Sequence, residues 1–160
     1  MKRVRFFLAL LLFFSQVVSA EMQAYPAPDW QLKTLDGQTV SWQQFRGQPV
    51  ILMFWATWCP YCKKLMPGLQ RLQHKYRDRG LQVILIDYNE DEDADIAGAL
   101  HARGIALLNV VNGDAVAARY NVAATPTTFY IDRDGKIVGK SNNSNPDAVE
   151  LERYAQWITK

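Results

Sequence analysis

Val50-Ile51-Leu52-Met53-Phe54-Trp55-Ala56-Thr57-Trp58-Cys59-Pro60-Tyr61-Cys62 runs from a bulky apolar stretch into the only two cysteines of a 160-residue chain, spaced C-x-x-C. The apolar run does not alternate, which marks a strand covered on both faces in the middle of a sheet. Such strands usually need crossover helices, and one follows here. Leu65, Leu69, Leu72 and Tyr76 recur at helical spacing with Lys63, Lys64, Gln70 and Arg71 elsewhere on the surface, until Asp78-Arg79-Gly80 stops the pattern. Cys59 therefore falls where strand becomes helix. Pro60 suits a first helical position, where the missing N–H would be unpaired in any case. Pro67 removes one backbone bond inside the helix and predicts a kink, either a packing irregularity or a bend that sets the first turn apart from the rest.

Outward from this stretch the same logic orders the chain. Trp30–Thr34 and Thr39–Trp42 flank Leu35-Asp36-Gly37-Gln38, a hairpin signal. Val83–Ile86 is a second buried strand, Asp93–Arg103 a helix ended by Gly104, Leu107–Val111 a short strand and Asp114–Tyr120 a brief helix. Thr127–Ile131 is a strand that Asp132-Arg133-Asp134-Gly135 turns into Lys136–Gly139. Asn145-Pro146-Asp147 reads as the cap and first turn of a last helix burying Leu151, Tyr154 and Ile158. Strands alternating with helices and closing with a hairpin and helix predict an α/β fold with a mixed sheet of about four or five strands, covered on both faces.

The first residues are of another kind. Lys2, Arg3 and Arg5 precede nine apolar residues, Phe6–Phe14, and Val18-Ser19-Ala20 offers a cleavage site, so residues 1–20 read as a signal peptide for export to the periplasm. The run falls short of the roughly 20 residues that span a bilayer, with a short uncleaved anchor as the alternative. Residues 21–28, with Pro26 and Pro28, read as an extended lead-in, and 29–160 as one domain. Cleavage takes three cations and no acid, so the 18 Lys and Arg fall to 15 against 16 acidic residues. The charge then gives no ground for nucleic-acid or membrane-surface binding.

Three uses of the cysteine pair compete. A structural staple closing about four residues gains little loop entropy. Zinc needs two more ligands, and only His74 and His101 exist, 27 residues apart on separate predicted helices. Copper(I) suits thiolates and thioethers, but Met53 and Met66 fall on apolar, core-facing positions. Redox exchange fits best. At a helix N-terminus the free N–H groups and the dipole stabilise a thiolate, lowering its pKa from about 8.5 to roughly 3.5–7.5. Cys59 then attacks and Cys62, one turn inside, resolves.

Phe54–Cys62, with Pro67 at its distance and Thr125-Pro126-Thr127-Thr128-Phe129-Tyr130-Ile131-Asp132-Arg133-Asp134-Gly135-Lys136-Ile137 downstream, resembles the thioredoxin superfamily, and within it the exported TlpA, ResA and DsbE/CcmG group. The likeness covers about Ala27 to Ile158, including the leading hairpin and Asp87–Asp91. It implies a thioredoxin-like fold with an N-terminal β-hairpin extension and a cis Thr125–Pro126 bond opposite the sulfurs. It also implies a site of Cys59 and Cys62 supported by Trp58, Pro60, Tyr61, Thr125 and Pro126, with the Thr125 backbone pairing an incoming peptide. Trp58 shapes the surface beside the attacking sulfur, while Trp55 belongs to the core.

Two departures stand out. The positions where relatives carry a proton-accepting acid are Leu65 and Met53 here, which leaves the acceptor for Cys62 unassigned; Asp87 and Glu90 are the substitutes on offer, but read more simply as solvated loop acids. The Pro60-Tyr61 dipeptide is of glutaredoxin type, although its flanks are not. The resemblance implies a monomeric thiol-disulfide oxidoreductase with no cofactor beyond its own Cys59–Cys62 disulfide, exchanging with protein thiols, and, as a reductase, fed by a membrane electron donor. An oxidant or isomerase of exported proteins is the rival within this chemistry, and a copper carrier the rival outside it.

Overall fold

A computed structural model describes residues 23–160. In chain order the elements are β1 (Tyr25–Pro26), β2 (Gln31–Lys33), β3 (Thr39–Ser41), a 3-10 turn (Trp42–Phe45), β4 (Val50–Trp55), α1 (Pro60–Lys75), a 3-10 turn (Arg77–Arg79) and β5 (Gln82–Asp87). After them come α2 (Ile96–His101), β6 (Leu108–Val110), α3 (Asp114–Arg119), β7 (Thr127–Ile131), β8 (Lys136–Ser141) and α4 (Val149–Ile158). The main sheet has the order β1-β8-β7-β4-β5-β6, with β2 and β3 paired separately as the hairpin. Its centre is β4, parallel to β5 and antiparallel to β7, and all six β4 residues are buried.

The strand pleat divides the core in two. Ile51, Met53 and Trp55 face a cluster that takes Leu65, Met66 and Leu69 from α1, Leu100 from α2, and Leu151, Ala155 and Ile158 from α4. Val50, Leu52 and Phe54 face the hairpin, the Trp42–Phe45 turn and α3. Both cysteines belong to the first cluster. A sheet whose central strand is apolar on both faces can be covered only in this way.

The sheet has six strands, where four or five were expected, because the lead-in is part of it. Tyr25 and Pro26 pair with Ile137 and Lys136 on β8, an edge position where proline's missing N–H leaves no ladder bond unmade. The signal-peptide expectation falls on 1–20, outside the described residues. Among the described residues no helix is long and apolar enough to cross a membrane. Helix starts also differ from the sequence expectation. α2 begins at Ile96, not Asp93, because Asp95 is its cap, accepting from Gly98 N at 2.8 Å. α4 begins at Val149: Asn145 Oδ1 accepts from Asp147 N in a separate turn, and Pro146 O accepts from Arg71 Nη2 of α1 instead of from a helical N–H.

α1 continues as one helix through Pro67. Next to it Gly68 lies against the turn before α4, where an added Cβ would stand 2.4 Å from Pro146 O. In an open helix Gly→Ala stabilises by about 1 kcal/mol. Gly68→Ala is expected to do the reverse, lowering stability by about 1–3 kcal/mol through overpacking against rigid backbone. Urea unfolding of the two proteins measures the sign.

Candidate active site

β4 delivers the chain to the site. After Trp55 the backbone turns through Ala56–Trp58, with Cys59 N donating to Ala56 O at 3.1 Å, and Cys59 becomes the N-cap of α1. Its extended backbone (φ −91°, ψ 102°) lets its own Sγ accept from Cys62 N at 3.1 Å. An N-cap side chain normally satisfies one of the four free N–H groups at a helix start; here the acceptor is sulfur. Cys59 and Cys62 form a disulfide with their Cα atoms 5.3 Å apart. Cys59 is 2% exposed and Cys62 fully buried.

The supporting residues lie around this point. Pro60 opens α1, and Tyr61 and Trp58 expose 62% and 48% of their surfaces beside the nearly covered sulfur. Trp58 is held by a bond from its Nε1 to Asn89 O at 2.8 Å. Trp55 is buried and donates from Nε1 to Asn109 Oδ1 on β6 at 2.8 Å, an anchor that the sequence pattern did not reveal. The Thr125–Pro126 bond is cis. The antiparallel register of Met53 with Thr128 and Phe54 with Thr127, carried one step further, sets Pro126 beside Trp55 at the sulfur end of β4. Asn142 Nδ2 ties down this corner, donating to Pro126 O at 2.8 Å and Thr127 Oγ1 at 2.7 Å. Met53 and Met66 are both fully buried core residues, and His74 and His101 are exposed on α1 and α2.

Asp87 departs from the sequence reading. It is not a solvated loop acid: it ends β5 opposite Trp55 and is 2% exposed. The alternation that turns Val83 and Leu85 toward the cysteine cluster turns Asp87 to the same face, a parity that could have been read from Val83-Ile84-Leu85-Ile86-Asp87. Gly113 N donates to Asp87 O at 2.8 Å, an approach that any Cβ at position 113 would obstruct. Burial pushes the Asp87 carboxyl up from 3.8 to about 8, helped by a hydrogen bond to Glu90 and by the negative charges of Glu90 and Asp114. Glu90 in turn accepts from Thr57 N and, at 2.6 Å, from Thr57 Oγ1, two residues ahead of Cys59. The neighbouring acids Asp91, Glu92 and Asp93 are exposed, as expected of a solvated loop.

Residues 24–140 match the AhpC/TSA family. The chain is 33% identical over 134 residues to a thiol-disulfide oxidoreductase ResA of Bacillus cereus, covering 83% of this chain and 76% of that protein. It is 34% identical over 113 residues to the thioredoxin-like protein YneN of Bacillus subtilis, covering 69% and 66%. A crystal structure from Chlorobium tepidum, described as a DsbE-type thiol:disulfide interchange protein, superposes with a TM-score of 0.78 at 28% identity, covering 86% of this chain and 97% of the other.

The buried carboxyl makes stability depend on pH. Asp87 binds its proton more tightly folded than unfolded, so its contribution is fully present below the unfolded value and is lost as pH rises from 3.8 to about 8. Asp87→Asn has no such proton to lose. Its stability relative to the parent is expected to rise through that window, by on the order of a few kcal/mol, and to level off above it. Urea midpoints across the window measure the difference; a gap independent of pH would contradict the assignment.

Proposed function

The chain belongs to the AhpC/TSA family and is a thiol-disulfide oxidoreductase of the ResA/DsbE type, and from that premise we propose that it reduces disulfides in exported proteins. The observation that carries the chemistry is the Cys62 N–H aimed at Cys59 Sγ at the start of α1. That donor and the helix dipole favour the anion of Cys59 over that of an ordinary thiol.

In the forward direction the Cys59 thiolate attacks one sulfur of a client disulfide. The client S–S bond breaks, its other sulfur leaves as a thiolate that takes up a proton, and a Cys59–client mixed disulfide forms. Cys62 then loses its proton and attacks Cys59 Sγ, and the second client sulfur leaves. The client has gained two electrons and the protein its Cys59–Cys62 disulfide. An oxidising compartment does not return those electrons, so a membrane dithiol donor must do so.

The Thr125 backbone is the proposed contact for an extended client segment. Among the described residues no hydrogen bond uses its N–H or C=O, while Asn142 engages the next carbonyl. Exposed Trp58 and Tyr61 give this edge an apolar rim. Clients of the implied class carry cysteine pairs, such as the haem-attachment thiols of an apocytochrome c or the thiols of a copper site. Residues 1–20 would direct the chain to the periplasm.

One observation favours the opposite direction. The bond from Cys62 N to Cys59 Sγ also stabilises the reduced form, as in strongly oxidising members of this chemistry. The reduction potential separates the two: a value well below about −200 mV supports the reductase, one near −120 mV the oxidant.

Insulin reduction with dithiothreitol tests exchange itself. Wild type is expected to accelerate it, Cys59→Ser to fall to the uncatalysed rate, and Cys62→Ser to accumulate a mixed disulfide at Cys59. Equal turnover in all three proteins would contradict the assignment.

A further inference from the structure

The loop after β5 holds the attacking end of the site through groups that the exchange steps do not use. Asn89, in the left-handed region at φ 53°, accepts from Trp58 Nε1 through its carbonyl. Glu90 accepts both donors of Thr57. The loop is itself held from α3, where Asp114 Oδ1 accepts from Asn89 N at 3.1 Å. Beneath it sits Asp87, 2% exposed, with its Oδ2 buried without a protein partner and its carboxyl within reach of Glu90.

Two carboxyl groups can share a hydrogen bond only if one of them holds a proton. Both Glu90 oxygens already accept from Thr57, so Glu90 is the acceptor and Asp87 the donor. The groups facing Asp87 are Glu90 on its own loop, Trp55 at the end of β4 and Asp114 on α3. None of the four ion pairs among the described residues brings it a cation. With nothing to neutralise a second charge, losing the proton sets two carboxylates against each other at the clamp on Thr57, which lies two residues from Cys59.

We propose that Asp87 and Glu90 form a proton-sharing positioning pair for disulfide exchange: Asp87 donates to Glu90, Glu90 clamps Thr57, and the clamp keeps the Cys59 sulfur under the Cys62 N–H. The pair touches neither sulfur and acts through the Ala56–Cys59 turn. While the proton is held, Cys59 is a stabilised, moderately basic thiolate. When it is lost, the clamp opens and the sulfur, short of its donor, becomes more basic and more nucleophilic. The inference rests on Cys59 being the attacking sulfur, but not on the direction of exchange or on any client.

The test follows alkylation of Cys59 by iodoacetamide in reduced Cys62→Ser protein from about pH 5 to about 10, a range spanning the thiol and carboxyl transitions. The rate is expected to rise as Cys59 ionises, to level off, and to rise again near pH 8, where Asp87 ionises. A tenfold gain in thiol basicity makes this second rise about threefold, since nucleophilicity follows basicity with a slope of about 0.4–0.5. Asp87→Asn in the same background keeps a donor toward Glu90 and has no proton to lose, so the second rise is expected to vanish. Thr57→Val removes one clamped donor and is expected to show the elevated plateau already at neutral pH, and Thr57→Ser to restore the parent profile. Near-UV circular dichroism checks that each variant is folded. Persistence of the second rise in Asp87→Asn, or a Thr57→Val profile identical to the parent's, would overturn the proposal. Because alkylation needs no client, a flat profile beside normal insulin turnover overturns the clamp alone.

Discussion

A backbone N–H pointing at a sulfur atom is the constraint around which this molecule is arranged. It exists because a fully buried strand stops at Trp55 and the chain turns within three residues into a helix whose first residue is proline. Cys59 takes the position that serine or aspartate fills in ordinary helices. The rest of the fold keeps that junction rigid: β5 and β7 bracket β4, and α1 packs its Leu65-Met66-Leu69 stripe onto the same sheet face as the sulfurs.

The environment around the junction is polar where polarity has a partner and apolar elsewhere. Trp55 is buried as an aromatic should be, yet its N–H finds Asn109 across two strands. Asp87 lies at the same level of the sheet, on the other strand flanking β4 from Pro126. An acid at 2% exposure costs folding free energy unless it is neutral or paired. The chain meets that cost with a shared proton in place of a cation, which links the stability of the core to the reactivity of the Cys59 sulfur. Buried groups with displaced titration concentrate at functional sites for this reason.

Much of this was legible in the sequence, and the parts that were not share one cause. The unbroken apolar run marked β4 and helical spacing marked α1, because those patterns are set by burial on known faces. That Cys59 stands at a helix start follows from the apolar run giving way to helical spacing and from Pro60, which suits a first helical position. What sequence reading missed depends on partners distant along the chain. β1 exists because β8 offers an edge to Tyr25 and Pro26; α4 starts late because Arg71 takes the Pro146 carbonyl. Asp87 reads with Glu90 as a loop acid, although its parity with Val83 and Leu85 sets it on the buried face. Composition outweighed periodicity there, and periodicity was right.

Exchange chemistry at this site stands on the ionisation of Cys59. Titrating the thiolate absorbance of reduced Cys62→Ser protein, folded and again unfolded in urea, isolates the effect of the helix start. The unfolded thiol should ionise near 8.5, and the folded one well below it, within roughly 3.5–7.5. Coincident titrations, or a folded thiol that ionises later than the unfolded one, would contradict the account.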